Sequence, residues 1–542
     1  MNNQLTNQPN IELANFRWWE RGIIYQIYPR SFLDSNGDGI GDLNGIRQKL
    51  DYLQWLGVDA IWISPIFPSP MADFGYDVSN YIDIDPMFGT LAECDALLAD
   101  VHARGMKLLL DYVPNHTSDR HPWFADSRSS RKSAKRDWYI WRDPLPGGGP
   151  PNNWRANFGG GAWEWDEKTK QYYYHAFLKE QPDLNWRNPE VQQAMLDVLR
   201  FWLDRGVDGF RVGVMHHLVK DKEFRDNPPN PNFRPGMSPY RELMTTYTAD
   251  LPEVQEIVAM MRNVVEEYDD RMLVGEIYLP VERLMAYYGA SGKGAHLPFN
   301  FQLIRLPWKA KEIAAAIERY EALLPSHAWP NWVLGNHDKA RTASRIGATQ
   351  ARVAAMLLLT LRGTPTLYYG DEIGMRDMPI PAHLVQDPFE KNVPGLGLGR
   401  DPVRTPMQWT NGESAGFTTG KPWLPIADDF KSVNVSALRD QAASILTLYH
   451  RLIKLRRSEA ALSVGEFAPL PADDDLIAYV RKAGERRLVI VLNLGSEARS
   501  FNLSDLEARA SLLLSTHLDR DQEYSRDELQ LRADEGVIVE LR

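Results

Sequence analysis

Asp208-Gly-Phe-Arg-Val-Gly-Val-Met215 decides how the chain is read. Gly209 to Val214 has the make-up of a short buried strand. Phe210, Val212 and Val214 are apolar and strand-prone, and Gly206 and Gly209 punctuate the approach. Arg211 lies in the middle of it. A guanidinium keeps its charge and is seldom buried without an anionic partner, so a strand built around Arg points to a place where carboxylates converge.

Outward from this stretch the same texture repeats: a short apolar run, a loop, an amphipathic helix. The strand candidates are Ile23–Ile27, Ala60–Ser64, Leu108–Tyr112, Gly209–Val214, Leu273–Ile277, Leu297–Phe301, Trp332–Leu334 and Thr366–Tyr368. Between them the spacing predicts helices. Over 191–203, Val191, Ala194, Met195, Val198, Leu199, Trp202 and Leu203 share one face, with Asn188 as N-cap and Pro189 in the first turn. Over 254–268, Ile257, Val258, Met261, Val264 and Val265 do the same. Eight strands alternating with helices predict an α/β fold, a (β/α)8 TIM barrel.

Two long interruptions follow strands. Asn115 to Trp186 is rich in Trp, Tyr, Gly and Pro and reads as an inserted subdomain. Asp226 to Pro239 is crowded with Pro and Asn. Insertions on this side of a barrel wall its active site. Beyond a helix at Ser444–Arg457 come short strands at Leu476–Val480, Arg487–Leu494, Ser511–Ser515 and Val537–Leu541, which predict a C-terminal antiparallel β domain. The expected division is 1–114 and 187–460 for the barrel, 115–186 for the subdomain, and 461–542 for the β domain.

The chain has 542 residues and a net charge of −11, and its basic run at Arg128–Arg136 is short, which argues against nucleic acid as a partner. Met1 to Leu13 lacks an apolar signal core, and no run is long enough for a membrane span. The single cysteine, Cys94, allows no internal disulfide and fits a cytoplasmic protein. The 17 Trp, 22 Tyr and 19 Phe serve large cores or offer stacking surfaces to flat ligands.

Position along the strands carries the chemistry. Asp111 lies in the third strand, with Asn115 and His116 just beyond. Arg211 lies in the fourth, Glu276 ends the fifth, and His337 and Asp338 follow the seventh. Catalytic groups of barrels gather at such C-terminal strand ends. A metal is the competing reading of acids and histidines, but there is no His-Glu-x-x-His, and the adjacent His216 and His217 are poorly spaced for joint ligation. Glycoside hydrolysis fits better: one carboxylic acid protonates the leaving oxygen while a carboxylate attacks or positions water. Crowded carboxylates raise the pKa of one of them, which keeps it an acid.

With these residues in view, the chain resembles the α-amylase superfamily (glycoside hydrolase family 13), in its branch of α-glucosidases and oligo-1,6-glucosidases. The resemblance covers nearly the whole chain. It rests on Asp111-Tyr-Val-Pro-Asn-His116, Gly209-Phe-Arg-Val-Gly-Val214, Gly275-Glu-Ile277 and Gly335-Asn-His-Asp338, with Gln181-Pro-Asp-Leu-Asn185 and Arg400-Asp-Pro-Val-Arg-Thr-Pro-Met-Gln-Trp409 marking the branch. It implies an exo-acting retaining α-glucosidase. Glu276 would be the general acid/base, and Asp338, with His337 beside it, would grip sugar hydroxyls. Asp111 and His116 would bind the non-reducing glucose. Asp73 and Tyr76 would close its pocket, Tyr76 stacking on the ring, and Arg400 would hold a hydroxyl. Phe158 and Phe177 are aromatic walls or plain core.

The departure is at position 213. The family has the nucleophilic Asp there, and this chain has Gly213, which cannot attack. Arg211, which would orient that Asp, is retained. One lost group in an otherwise complete site reads as a deliberate change, made to trap a substrate complex. A natural non-catalytic relative is the alternative.

Asp34-Ser-Asn-Gly-Asp-Gly-Ile-Gly-Asp42 alternates oxygen donors at Asp34, Asn36, Asp38 and Asp42 with the Ile40 carbonyl, as in a calcium loop. Position 45 is Gly, so it is not an EF-hand. The resemblance implies a structural Ca²⁺ or Mg²⁺ there, and a bare turn is the alternative. No organic cofactor is implied. The expected substrates are small α-glucosides: maltose-type oligosaccharides, sucrose, or aryl and alkyl glucosides, with transfer to alcohols beside hydrolysis. The protein would be a monomer or homodimer. Trehalose synthase, sucrose isomerase and sucrose hydrolase are rival activities, and a barrel acting as a binding subunit, like amino-acid transporter heavy chains, is the non-enzymatic one. Val214 resembles the α-1,6-preferring type.

Overall fold

The structure, a computed structural model, describes residues 13–542 apart from 474, 507, 508, 521–523 and 526. The N-terminal stretch through residue 12, read above as free of a signal core, lies outside the described residues. Eight parallel strands form the centre: β1 (Ile24–Ile27), β2 (Ala60–Ile63), β3 (Lys107–Tyr112), β4 (Gly209–Val212), β5 (Met272–Gly275), β6 (Leu297–Pro298), β7 (Asn331–Val333) and β8 (Thr364–Tyr368). They pair in the order β7-β8-β1-β2-β3-β4-β5-β6, and a parallel bridge from Asn300 to Trp332 joins the last strand back to the first. The expected barrel is present.

Alternation along each strand explains the closure. Ile24, Trp62, Leu109, Val274 and Leu297 pack together inside the barrel, while Tyr25, Ile61, Leu108, Leu110 and Phe210 face the surrounding helices. The helix Pro189–Asp204 shows how one of these is fixed. Asn188 caps it by accepting the Glu190 N–H, and Val191, Met195, Val198, Leu199, Trp202 and Leu203 are buried. Register does the rest: Asp111 lies opposite Arg211, and Arg211 opposite Val274. Glu276, two residues past Val274, therefore points to the same face one pleat higher.

The fourth strand ends earlier than its sequence suggests. Val214 turns into the left-handed region (φ 40°, ψ 43°), so β4 stops at Val212 rather than continuing to 214. The insertion carries a three-stranded antiparallel sheet, Trp141–Arg142, Trp163–Asp166 and Gln171–Tyr174, around Trp154 and Trp163. The Trp154 indole donates to the Arg225 carbonyl (2.8 Å), which ties the insertion to the loop after β4. At the C-terminus, Leu476–Ala483, Arg486–Asn493, Gly536–Leu541 and Ala510–Ser515 form the centre of an antiparallel sheet. Glu466–Leu470, Arg499–Asn502, Tyr524–Ser525 and Glu528–Leu531 add strands the sequence did not announce. Glu466–Leu470 is mostly exposed and contains Pro469, as an edge strand does. Among the described residues no helix is long and apolar enough to cross a membrane.

Candidate active site

The site is built on Arg211. Its guanidinium is 2% exposed and bridges two carboxylates: Nη1 to Asp111 Oδ1 at 2.8 Å and Nη2 to Glu276 Oε2 at 2.9 Å. Burial alone would lower its pKa, and the two carboxylates outweigh it and hold it well above the usual value. Burial pushes the Asp111 carboxyl up to about 6 against the pull of Arg211. It raises Glu276 as well, again against Arg211, with the Asp338 charge adding to the rise. The direction of the Glu276 shift is the one a general acid needs.

Backbone strain next door serves this carboxylate. Val214 is β-branched and sits at positive φ, a conformation such residues rarely adopt. There its N–H donates to Glu276 Oε2 at 2.7 Å. Gly213, between them, has no such need of glycine, since its φ lies outside the left-handed region. A Cβ there would lie 3.1 Å from Arg211 Nη1, 3.5 Å from the Tyr112 carbonyl and 3.9 Å from Asp111 Oδ1. The missing side chain would therefore point at the guanidinium.

The opposite wall is a chain of polar contacts across three loops. The Tyr76 hydroxyl lies 3.0 Å from Asp111 Oδ2 and 2.7 Å from His337 Nε2, with the two rings stacked at 5.4 Å. Gln26 donates to His337 Nδ1 (2.7 Å), which leaves the ring proton on Nε2, facing Tyr76. Burial drives His337 well below the usual histidine value, so the ring is neutral. Asp338 is only partly buried. Arg404 lies 2.9 Å and Arg400 3.5 Å from its Oδ1. Burial would raise this carboxyl, but His337, Arg400 and Arg404 reverse that and hold it far below the ordinary range. Asp338 is held an anion while Glu276 is shifted the other way, two carboxyls pushed in opposite directions in one site.

Arg400 closes this wall. It donates to Asp73 Oδ1 at 2.7 Å and Asp387 Oδ1 at 2.6 Å, with its charge 4.7 Å from the Phe158 ring centroid. Gln181 joins Asp73 Oδ2 (3.1 Å) to His116 Nε2 (3.1 Å). Burial lowers His116 to about 4, so it too is neutral. Phe177 packs against His116 (5.3 Å) and Phe158 (5.6 Å), so both phenylalanines line this wall. Asp183 pairs with the buried Lys220, which also donates to Asn115 Oδ1 at 2.9 Å and anchors the insertion under the site.

All twelve sugar-site residues named from the sequence are thus gathered at the C-terminal mouth of the barrel. Several contributors carry no role in the sequence reading, Gln181 of a quoted motif among them. Arg404 sits four residues past Arg400 in a quoted motif and was given no role. Asp387, which pins Arg400, caps the short helix Pro388–Asn392, and its Asp-Pro pair signals a helix start rather than a partner for Arg400. Gln26 was detectable as the one polar residue in the apolar run of β1.

The loop of residues 34–42 is separate from this mouth and chained by its own backbone. Asp34 accepts from the N–H groups of Asn36, Gly37 and Gly39, Asn36 from Asp38, Asp38 from Ile40, and Asp42 from Ser35 and Gly45. Among the described residues no three His, Cys, Asp or Glu side chains converge as a metal site would. The donors are oxygens, as Ca²⁺ or Mg²⁺ takes, yet most already hold N–H groups.

Comparison with known proteins follows this geometry. A family model for the α-amylase catalytic domain matches residues 26–465. A probable alpha-glucosidase of Rhizobium meliloti (strain 1021) is 42% identical over 500 residues, covering 90% of this chain and 91% of its own length. An oligo-1,6-glucosidase of Parageobacillus thermoglucosidasius is 38% identical over 565 residues, covering 97% and 99%. Among solved structures, an alpha-glucosyl transfer enzyme superposes with a TM-score of 0.93 at 39% identity, covering 97% of this chain and 100% of that one. Isomaltulose synthase from Klebsiella sp. LX3 gives 0.90 at 34%, covering 97% and 100%. With matched sequence over most of its length and the barrel to go with it, this chain belongs to the α-amylase family of glycoside hydrolases, in the branch of the α-glucosidases and oligo-1,6-glucosidases.

Proposed function

We propose that the site is that of an exo-acting retaining α-glucosidase whose nucleophile position is vacated by Gly213. The carrying observation is Arg211, which bridges Asp111 and Glu276 and toward which a side chain at 213 would point. With Asp at 213, its carboxylate attacks C1 of the non-reducing glucose while Glu276 passes its proton to the leaving oxygen. Water then replaces the enzyme oxygen at C1, and Glu276 takes the water's proton. Asp73, His116, Asp338 and Arg400 bind the glucose hydroxyls, and Tyr76 stacks on the ring. With Gly213 the first bond cannot form, so this chain binds α-glucosides without turning them over.

The test is Gly213→Asp, assayed on maltose, isomaltose, sucrose and trehalose. Turnover should rise by about 10⁴–10⁶-fold, the size of a restored nucleophile. Formate or azide should return a small part of that to the Gly213 chain. A revertant that binds maltose but cleaves none of the four substrates would leave only the binding-subunit reading. Net isomerisation of sucrose would favour the second reading, which draws support from the likeness to isomaltulose synthase.

The proposal includes a structural Ca²⁺ or Mg²⁺ held by Asp34, Asn36, Asp38, Asp42 and the Ile40 carbonyl. Saturating a site at about 100 Kd adds about 2.7 kcal/mol, so chelation should lower the Tm by a few degrees. An unchanged Tm means a bare turn. Cytoplasmic residence is carried by the lone, buried Cys94.

A further inference from the structure

Most of the glucose-binding groups come from one arc of the barrel: Asp73 from the loop after β2, Asp111 and His116 from β3 and its loop, Arg400 from the loop after β8; Asp338, after β7, stands at its border. The other arc carries cations. Lys339 follows β7, Arg305 ends the short helix Gln302–Arg305 after β6, and Arg241 sits in the turn Pro239–Glu242 of the loop after β4. All three are exposed, and none makes an ion pair among the described residues. Lys339 Nζ lies 5.4 Å from the ring centroid of Tyr278, which stacks on Phe301 (4.2 Å, 11°). The Tyr278 hydroxyl accepts from the Asn336 amide at 3.2 Å. The Lys339 ammonium lies within electrostatic reach of Asp338, Arg305, Arg241 and Glu276. Arg305 in turn feels Arg241 and Tyr278.

Like charges gathered with no carboxylate paired to them repel, and this chain, at −11, has carboxylates to spare. The nearest ones are committed: Glu276 to Arg211 and Asp338 to Arg404 and Arg400. Lys339 is within electrostatic reach of both Asp338 and Glu276, and Glu276 is the group that meets the leaving oxygen, so the leaving group departs toward this cluster. Tyr278 gives that side a flat apolar platform.

We propose that the aglycone side of this site recognises an anion, so that its preferred α-glucosides carry a carboxylate or phosphate on the leaving group, held by Lys339, Arg305 and Arg241. This rests on the glucosidase reading and narrows its substrate class. Guanidinium and ammonium groups at an open rim give modest affinity that salt screens, which sets the expected size.

The test is calorimetric binding to the chain as it stands. The ligands are 4-carboxyphenyl α-glucoside and its neutral methyl ester, then α-glucosyl glycerol phosphate and α-glucosyl glycerol. The anionic member of a pair should bind about tenfold tighter at low salt. That advantage should vanish in an Arg241→Ala, Arg305→Ala double variant and shrink at high salt, with the neutral partner unaffected. The pair with the larger ratio identifies carboxylate or phosphate as the native group. Equal binding within both pairs, or a double variant that weakens neutral and anionic ligands alike, overturns the inference and leaves the glucosidase reading standing. Failure of the neutral glucosides and maltose to bind at all would remove that reading too.

Discussion

Two kinds of buried arginine hold this molecule together. At the seam between the barrel and the C-terminal domain, Arg456 donates to the carbonyls of Leu359 (3.0 Å), Leu361 (3.1 Å) and Gly363 (2.5 Å). Arg481 donates to those of Thr360, Gly465 and Glu466. These carbonyls cluster where the helix Ala348–Thr360 ends, with acceptors unpaired and the dipole negative. With no carboxylate bridged to either among the described residues, burial brings Arg456 down to about 10 and Arg481 to about 9. Arg211 faces the opposite surroundings, two carboxylates on neighbouring strands, and its pKa is driven up. A guanidinium capped by carbonyls completes a fold. One clamped between carboxylates at a barrel mouth organises charges for a ligand.

That contrast predicts separable effects. The largest is catalytic: Gly213→Asp adds a third carboxylate to the Arg211 set, and the 10⁴–10⁶-fold gain in turnover argued above should have no counterpart from any substitution at the seam. The next is energetic. Arg456→Met strands several buried carbonyls and should destabilise by on the order of 3 kcal/mol in urea melts, leaving the maltose Kd of the folded protein unchanged. Arg211→Met strands two buried carboxyls, should destabilise by about 3–5 kcal/mol, and should abolish maltose binding. If Arg456→Met weakened maltose binding as much as Arg211→Met, the division between the two kinds of arginine would collapse.

How far the sequence reaches follows from the same physics. The barrel is legible because buried parallel strands read as short apolar runs, and Asp111, Arg211, Glu276 and Asp338 stand out as charges at their ends. Strand ends are less legible, because β4 stops where Val214 twists to make a hydrogen bond with Glu276, a partner 62 residues away. Asp73, Tyr76 and Arg400 needed the family resemblance, since their loops have no periodicity of their own. Asp387 and Arg404 escaped for a related reason: each acts through a residue that only the folded loops bring near. In the C-terminal domain the missed strand Glu466–Leu470 is an edge, with little buried face to pattern its sequence.

Acid should separate the two regions in time as well as in kind. Burial lowers His116, His121 and His175 of the insertion to about 4. Each stays neutral in the fold while the unfolded chain takes a proton near 6.5. The stability each contributes, on the order of 3 kcal/mol at most, is complete above pH 6.5 and is lost as pH falls through about 4. His121 shows the mechanism: its Nδ1 accepts the Trp123 N–H at 3.1 Å as a helix cap, and a protonated Nδ1 cannot accept. In the C-terminal sheet the sensitive group is Glu535. Burial would raise it, but Arg532, Ser515 and Arg520 bring it down to about 2, so its contribution persists until pH falls from about 4.5 through 2. Asp111 and Asp77, raised to about 6, gain stability on acidification and buffer the barrel between these two regions. Hydrogen exchange corrected for intrinsic rates should therefore show insertion peptides losing protection between pH 6.5 and 4 while the C-terminal strands stay protected. His121→Asn, which keeps a cap that does not titrate, should flatten the loss around residues 121–129. Simultaneous opening of both regions, or the C-terminal sheet first, would mean that the buried histidines do not set the acid response.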